Sequence, residues 1–246
     1  MSAGSPRFWW VTLATVITMV FTASLGFWQL SRAAQKQALE DAITSHGALA
    51  PWTAGELAAT SDLGEGFYRP VQLTGEWVAG ATVYLDNRPM SARSGFIVVT
   101  PLRLKDQGQA ILVQRGWVPR DFVDRARVPK IDSPAGNITV EGRLAPPPSK
   151  LFELGENQTG PIRQNIDIDA FARETGLELL SASVLQTAPA EEALLREWPR
   201  YAAGVQKHQG YALQWFAMCA AAAALYLWFQ FISPRRKQRR HGPEPR

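Results

Sequence analysis

The chain has 246 residues and a mass of 27.2 kDa, enough for one large domain or two small ones and too long for a disulfide-stapled miniprotein. Its 46% hydrophobic and 20% charged residues are those of a folding chain, and its one cysteine, Cys219, excludes an intramolecular disulfide, a CxxC redox centre and a thiolate zinc site. The net charge of +4 is local: after Ile232, six cations against Glu244 make the end of the chain +5, which leaves −1 for the rest and no basic face for nucleic acid.

After a short N-terminus (residues 1–7), residues 8–30 (FWWVTLATVITMVFTASLGFWQL) carry no charge. As a helix they extend about 35 Å, enough for the ~30 Å hydrocarbon core of a bilayer with some tilt. A signal-peptide core is only about 7–15 residues long, and here the apolar run continues through Leu25-Gly26-Phe27-Trp28 past the weak cleavage candidate Thr22-Ala23-Ser24. Residues 211–232 form a second uncharged run. Trp9, Trp10 and Trp28 mark the ends of the first, and Trp215 and Trp228 bracket the second, as aromatic belts do at membrane–water interfaces. Gly26 and the alanines of residues 220–224 offer small surfaces on which the two spans can pack. The cluster Arg235-Arg236-Lys237-Gln238-Arg239-Arg240, in the tail of residues 233–246, predicts that both termini are cytoplasmic. Residues 31–210 are then exported. No Arg- and Ser-rich amphipathic transit stretch opens the chain, so the reading is a bacterial inner membrane with a periplasmic domain.

The exported segment begins with an Ala/Gln/Glu-rich stretch, residues 32–46, predicted to continue the helix out of the membrane. Residues 50–65 read as a loop. Short apolar runs then follow at residues 71–73, 83–85, 96–99, 111–113, 138–140 and 184–186, with clear alternation in Asn137-Ile138-Thr139-Val140-Glu141-Gly142-Arg143-Leu144. Asp86-Asn87-Arg88-Pro89 and Lys105-Asp106-Gln107-Gly108 are turn sequences, the second closing a hairpin. Asp167 and Gly176 bound a short helix, and Pro146-Pro147-Pro148 marks a stiff loop. The predicted fold class is a membrane protein of α+β type: two transmembrane helices enclosing a β-rich exported domain with short helices.

Catalytic motifs are absent: there is no GxSxG, HExxH, P-loop or GxGxxG. Asp121 with Asp124, and Asp167 with Asp169, are better explained by capping and solvation than as an acid/base pair. Of the three histidines, His46 lies in a polar stretch and His241 in the basic tail. His208, in Gly204-Val205-Gln206-Lys207-His208-Gln209-Gly210, stands at the outer mouth of the second span and shares a helical face with Tyr211, Ala212, Trp215 and Cys219. Imidazole is the common axial ligand of haem iron, and a basic neighbour can neutralise propionates. An interfacial histidine without a ligand is the competing reading of the same residues.

Several motifs occur in order between the two spans. Leu25-Gly26-Phe27-Trp28-Gln29-Leu30-Ser31-Arg32 closes the first. Arg69-Pro70-Val71 leads to Leu73-Thr74-Gly75-Glu76-Trp77, and Tyr84-Leu85-Asp86-Asn87-Arg88 precedes Ser94-Gly95-Phe96. Leu112-Val113-Gln114-Arg115-Gly116-Trp117-Val118-Pro119 follows, and residues 204–215 (GVQKHQGYALQW) close the set. In this arrangement, over about residues 20–236, the chain resembles the Surfeit-locus-one family of cytochrome c oxidase assembly factors. The resemblance implies a non-catalytic protein of haem-copper oxidase biogenesis that acts as haem a enters oxidase subunit I. It implies haem a as bound cargo, with the family's histidine falling on His208, and it implies subunit I, haem a synthase as donor and membrane lipids as partners. Lys207 beside the ligand, and Arg32 at the same membrane depth on the first span, are then the expected propionate partners. Tyr211, Trp215 and Trp28 are the expected apolar walls. A cofactor-free scaffold that stabilises a subunit I intermediate is the alternative role.

Overall fold

No proline and no cluster of like charges interrupts the chain from the first span into the polar stretch after it. Both are accordingly one helix, α1 (Pro6–Gly47), in the computed structural model of the protein. The structure describes residues 6–121, 123–124, 127–151, 160–189, 193–198 and 204–233. The first five residues and the basic tail from residue 234 onward, with His241, lie outside the described residues. Two units result, a helical one within Met1–Glu40 and Arg200–Arg246 and a sheet domain within Asp41–Pro199.

The sheet domain contains α2 (Ala54–Ala59), β1 (Pro70–Trp77), β2 (Val83–Leu85), β3 (Gly95–Leu104), β4 (Ala110–Pro119), β5 (Ile138–Ala145), β6 (Ile162–Arg163), α3 (Ile168–Thr175) and β7 (Leu179–Ala188). The sheet closes on itself through β1-β5-β7-β4-β3 and back to β1. Numbered along the chain, this ring has the order 1-2-3-5-4-1 with one parallel pair, β4 beside β7, which is the arrangement of an OB-type barrel. Closure rests on β3, which pairs with β2 at residues 97–99 and with β1 at residues 102–104. Pro101, which has no N–H to give, lies between these two stretches. Along β4 every residue but the last is buried, because both faces are covered. Ile111 and Val113 join Leu73, Leu102, Val140 and Val184 in one core cluster, whereas Leu112 packs with Phe171 of α3 in another.

Residues 50–65 are more ordered than their Pro/Gly/Ser/Thr content predicts. Thr53 and Glu56 form a reciprocal capping box that starts α2, and Asp62 caps a short 3₁₀ turn over Leu63–Gly66. α3 forms where predicted, with Asp167 accepting the Ala170 N–H and Gly176 closing it in the left-handed region. The hairpin between β3 and β4 turns through Asp106 and Gly108, both at positive φ.

Three of the separated motifs meet in one place. The Trp117 indole N–H donates to the Arg88 carbonyl at 2.6 Å, its ring lies over Gly95, and Tyr84 meets Phe96 edge to face. Asp86 pairs with Arg120. These residues hold the sheet domain together.

Two carboxylates at α3 make the domain acid-sensitive. The Lys150 ammonium, 2.9 Å away, and the Ala170 N–H hold the Asp167 carboxyl below the usual carboxylate range. The hydrogen-bonded guanidinium of buried Arg163 does the same for Glu174. Each therefore binds fewer protons in the folded than in the unfolded state. The stability each contributes is complete above the unfolded carboxylate pKa, about 4, and is lost as pH falls through the lower folded values. Thermal unfolding followed from pH 6 down to pH 2 is expected to show this loss, with a shallower fall in Glu174→Gln.

Candidate functional site

The helical unit consists of α1 and α4 (Val205–Leu227), the latter extended by a π-helical turn, Trp228–Ile232. Both helices are long and apolar enough to cross a membrane. Their outer surfaces carry large apolar side chains in the open: Trp10 is 71%, Leu213 72% and Phe229 65% exposed, surfaces suited to hydrocarbon. The molecule is thus a two-span membrane protein with a β-rich domain outside the membrane.

The two helices run antiparallel along a seam. Thr12 Oγ1 and the Tyr226 hydroxyl are 2.8 Å apart, the Cys219 thiol donates to the Met19 carbonyl at 3.6 Å, and Phe27 meets Phe216 edge to face. A Cβ at Gly26 would come within 2.7 Å of the Phe216 ring. Less exposed positions of α1 recur at alternating steps of four and three, as Thr12, Thr15, Met19, Thr22, Gly26, Gln29 and Ala33. On α4 the same rhythm takes His208, Ala212, Trp215, Cys219, Ala222 and Tyr226. This is the 3.5-residue repeat of a coiled coil, here built from small and hydroxylic residues that let two helices approach in lipid. The expected packing of Gly26 and the alanine run is present, with one refinement: Ala222 lies on the seam and Ala221 faces outward.

His208 sits on this seam in the first turn of α4. Its backbone N–H donates to the Gly204 carbonyl at 3.2 Å, and its ring is half-buried. Nδ1 lies 2.7 Å from Gln29 Oε1 of α1. An amide oxygen only accepts, so Nδ1 carries a proton, and in the neutral ring the lone pair is then on Nε2. That is the tautomer of a metal-ligating imidazole, fixed from the opposite helix as such ligands commonly are.

The other predicted site residues are distributed around this pair. Lys207 is exposed. Arg32 is exposed, donates to Gln35 Oε1 at 3.1 Å and lies 5.8 Å from the centroid of Trp28. Neither cation forms an ion pair among the described residues. Trp28 and Tyr211 are each 51% exposed, and Trp215 is half-buried on the His208 face. Gln29 is the residue that sequence reasoning passed over. It stood inside the quoted Phe27-Trp28-Gln29-Leu30 motif, and the signal available was its position in the four–three rhythm of α1.

The remaining titratable candidates have structural roles. His46 Nδ1 donates to the Phe67 carbonyl at 2.7 Å. Asp121 accepts the Val123 and Asp124 N–H groups, which lower its pKa, and Asp167 caps α3. Among the described residues no three His, Cys, Asp or Glu side chains gather as a metal site.

Two membrane-length helices, a closed barrel and a histidine oriented from the facing helix define a membrane-anchored protein with no catalytic cluster among the described residues. The chain belongs to the SURF1 family, whose model matches residues 16–220. It is 29% identical over 194 residues to mouse Surfeit locus protein 1, an alignment covering 66% of this chain and 57% of that protein. It is 25% identical over 270 residues to a SURF1-like protein of Monosiga brevicollis, covering 100% of this chain and 97% of the relative. Over 110 residues it is 34% identical to a SURF1-like protein of Rickettsia prowazekii, covering 44% and 42%. The chain thus spans little more than half the length of the mouse relative.

Proposed function

We propose that the chain is a non-catalytic assembly factor for a haem-copper cytochrome oxidase, which holds haem a as cargo on His208 and assists its entry into oxidase subunit I. The oxidase role is supported by membership of the SURF1 family together with the motifs that resemble cytochrome c oxidase assembly factors. The haem role rests on one observation, the 2.7 Å contact of His208 Nδ1 with Gln29 Oε1. In the neutral ring it leaves Nε2 as the free donor on a half-buried imidazole at the end of the helix seam. Haem iron needs only one or two axial ligands, so a lone histidine fits the group where a zinc or iron site would need three or four. When bound, haem would supply an iron for this imidazole and a flat apolar ring system.

In this reading Trp28, Tyr211 and Trp215 give the macrocycle apolar contact, and Lys207 and Arg32 meet its carboxylates with charges that no acidic residue in the described parts neutralises. The sheet domain faces the periplasm of a bacterial inner membrane and both termini the cytoplasm, with haem a synthase as donor. Protein purified from cells that make haem a is expected to show a Soret band and near-stoichiometric haem. Haem-free protein at every loading, together with loss of oxidase activity on deletion of the gene, would replace this reading with that of a cofactor-free scaffold for subunit I.

A further inference from the structure

At the end of the helix pair opposite His208, a groove of about 600 Å³ runs beside the seam, bounded by Arg7, Ala14 and Thr18 of α1 and by Ala222, Leu225 and Gln230 of the second span. From Arg7 to Thr18 it extends about 16 Å along the helix axis. Its polarity is one-ended. The hydroxyls of Thr15 and Thr18 are already spent on the Val11 and Ala14 carbonyls, at 2.8 and 2.9 Å, so the deep part of the wall is apolar. Arg7 and Gln230 stand together at the shallow end.

Gln230 is 9% exposed as a whole residue and lines the groove. Among the described residues its amide has no hydrogen-bond partner, so the N–H is available to an acceptor held there. Gln230 lies in the π-helical turn Trp228–Ile232, a rare conformation found mostly at functional sites. Arg7, at the mouth, forms no ion pair among the described residues.

We propose that this groove binds one anionic phospholipid of the bilayer, with the phosphate on Arg7, an ester carbonyl on the Gln230 amide and an acyl chain along Ala14, Leu225 and Ala222. The polar groups fall at the interfacial end and the apolar wall reaches inward, which is the order of groups in a lipid. The Arg7 cation at the interfacial end complements a phosphate, and an acyl chain is narrow enough to follow the apolar wall below it.

The full chain in nanodiscs of equal phosphatidylglycerol and phosphatidylcholine, released into mild detergent and weighed by native mass spectrometry, tests the assignment. The parent protein is expected to retain one phosphatidylglycerol in preference to phosphatidylcholine. Arg7→Gln, which removes a charge-assisted hydrogen bond, is expected to lower that retention about tenfold. Ala14→Phe, off the seam, fills the groove and is expected to displace the lipid, while circular dichroism shows the helices retained. Equal retention of the two lipids by the parent, or undiminished retention in Ala14→Phe, would overturn the proposal. So would a photoreactive residue at Leu225 that crosslinks to protein instead of to lipid.

Discussion

His208→Ala is expected to insert and accumulate like the parent protein and to carry almost no haem a. The fold does not depend on this imidazole: its one side-chain hydrogen bond is to Gln29, and the helix contacts run on through Ala212, Cys219 and Tyr226. Its removal costs a cofactor-bound state its iron–nitrogen bond and leaves only apolar and propionate contacts, so haem content after purification is expected to fall at least tenfold, about 1.4 kcal/mol or more. In the proposed site Gln29 acts through His208, as a positioning residue. Gln29→Leu is expected to keep a histidine-ligated spectrum with weaker retention, because the ring is free to turn and to protonate on Nε2. Gln29→Glu places a carboxylate on Nδ1–H, makes the imidazole more basic and is expected to shift the haem reduction potential to more negative values. A purely structural Gln29 would leave that potential unchanged. If His208→Ala retains as much haem a with the same Soret maximum, the ligand is elsewhere.

Some of this architecture is legible in the residues alone, and the reasons differ by element. The spans announce themselves by the absence of charge, since a single charged residue at the bilayer centre costs about 3 kcal/mol. Their mutual seam does not, because it is made of Thr12, Thr22, Gly26 and Ala33, which form no apolar stripe; only the four–three spacing betrays it. Strand cores at residues 71–73, 96–99 and 111–113 are visible as short apolar runs, but their ends are not. Gly75 to Trp77 and Leu102 to Leu104 become strand where β1 and β3 pair with each other, a contact between residues far apart in the chain. The parallel pairing of β4 with β7 is equally non-local. In residues 50–65 the composition of a loop outweighed a capping box, Thr53-Ala54-Gly55-Glu56, that was present in the letters. Within the candidate site, His208 was conspicuous as a residue type, whereas Gln29 became meaningful only once the opposite helix supplied its partner.

Gly95→Ala is expected to be among the most damaging single-methyl changes in the sheet domain. A Cβ there would lie 2.2 Å from the Val118 carbonyl oxygen and 2.3 Å from Cζ2 of Trp117. Neither neighbour can yield cheaply. The carbonyl belongs to the backbone of β4, which is paired to β3 along nearly its whole length. The indole is fully buried, held at its N–H by the Arg88 carbonyl and covered by the Arg93 guanidinium 5.3 Å above its ring. Moving it disturbs the meeting point of the Asp86-Asn87-Arg88, Ser94-Gly95-Phe96 and Arg115-Gly116-Trp117 segments. Overpacking of this kind costs about 1–3 kcal/mol when side chains can relax and more when backbone must shift. Since 1 kcal/mol moves the melting temperature of a domain this size by about 2–4 °C, a loss of about 3 kcal/mol corresponds to roughly 10 °C. Gly80→Ala is the matched control, because its added methyl meets nothing within 4 Å and is expected to change stability by less than about 0.5 kcal/mol. Near-ultraviolet circular dichroism of the full chain in detergent reads both the unfolding and the packing of Trp117. A Gly95→Ala protein that melts with the Gly80→Ala control and keeps the parent tryptophan signal would mean that Trp117 does not lie over Gly95, and the three motifs would then need another reason to share one corner of the barrel.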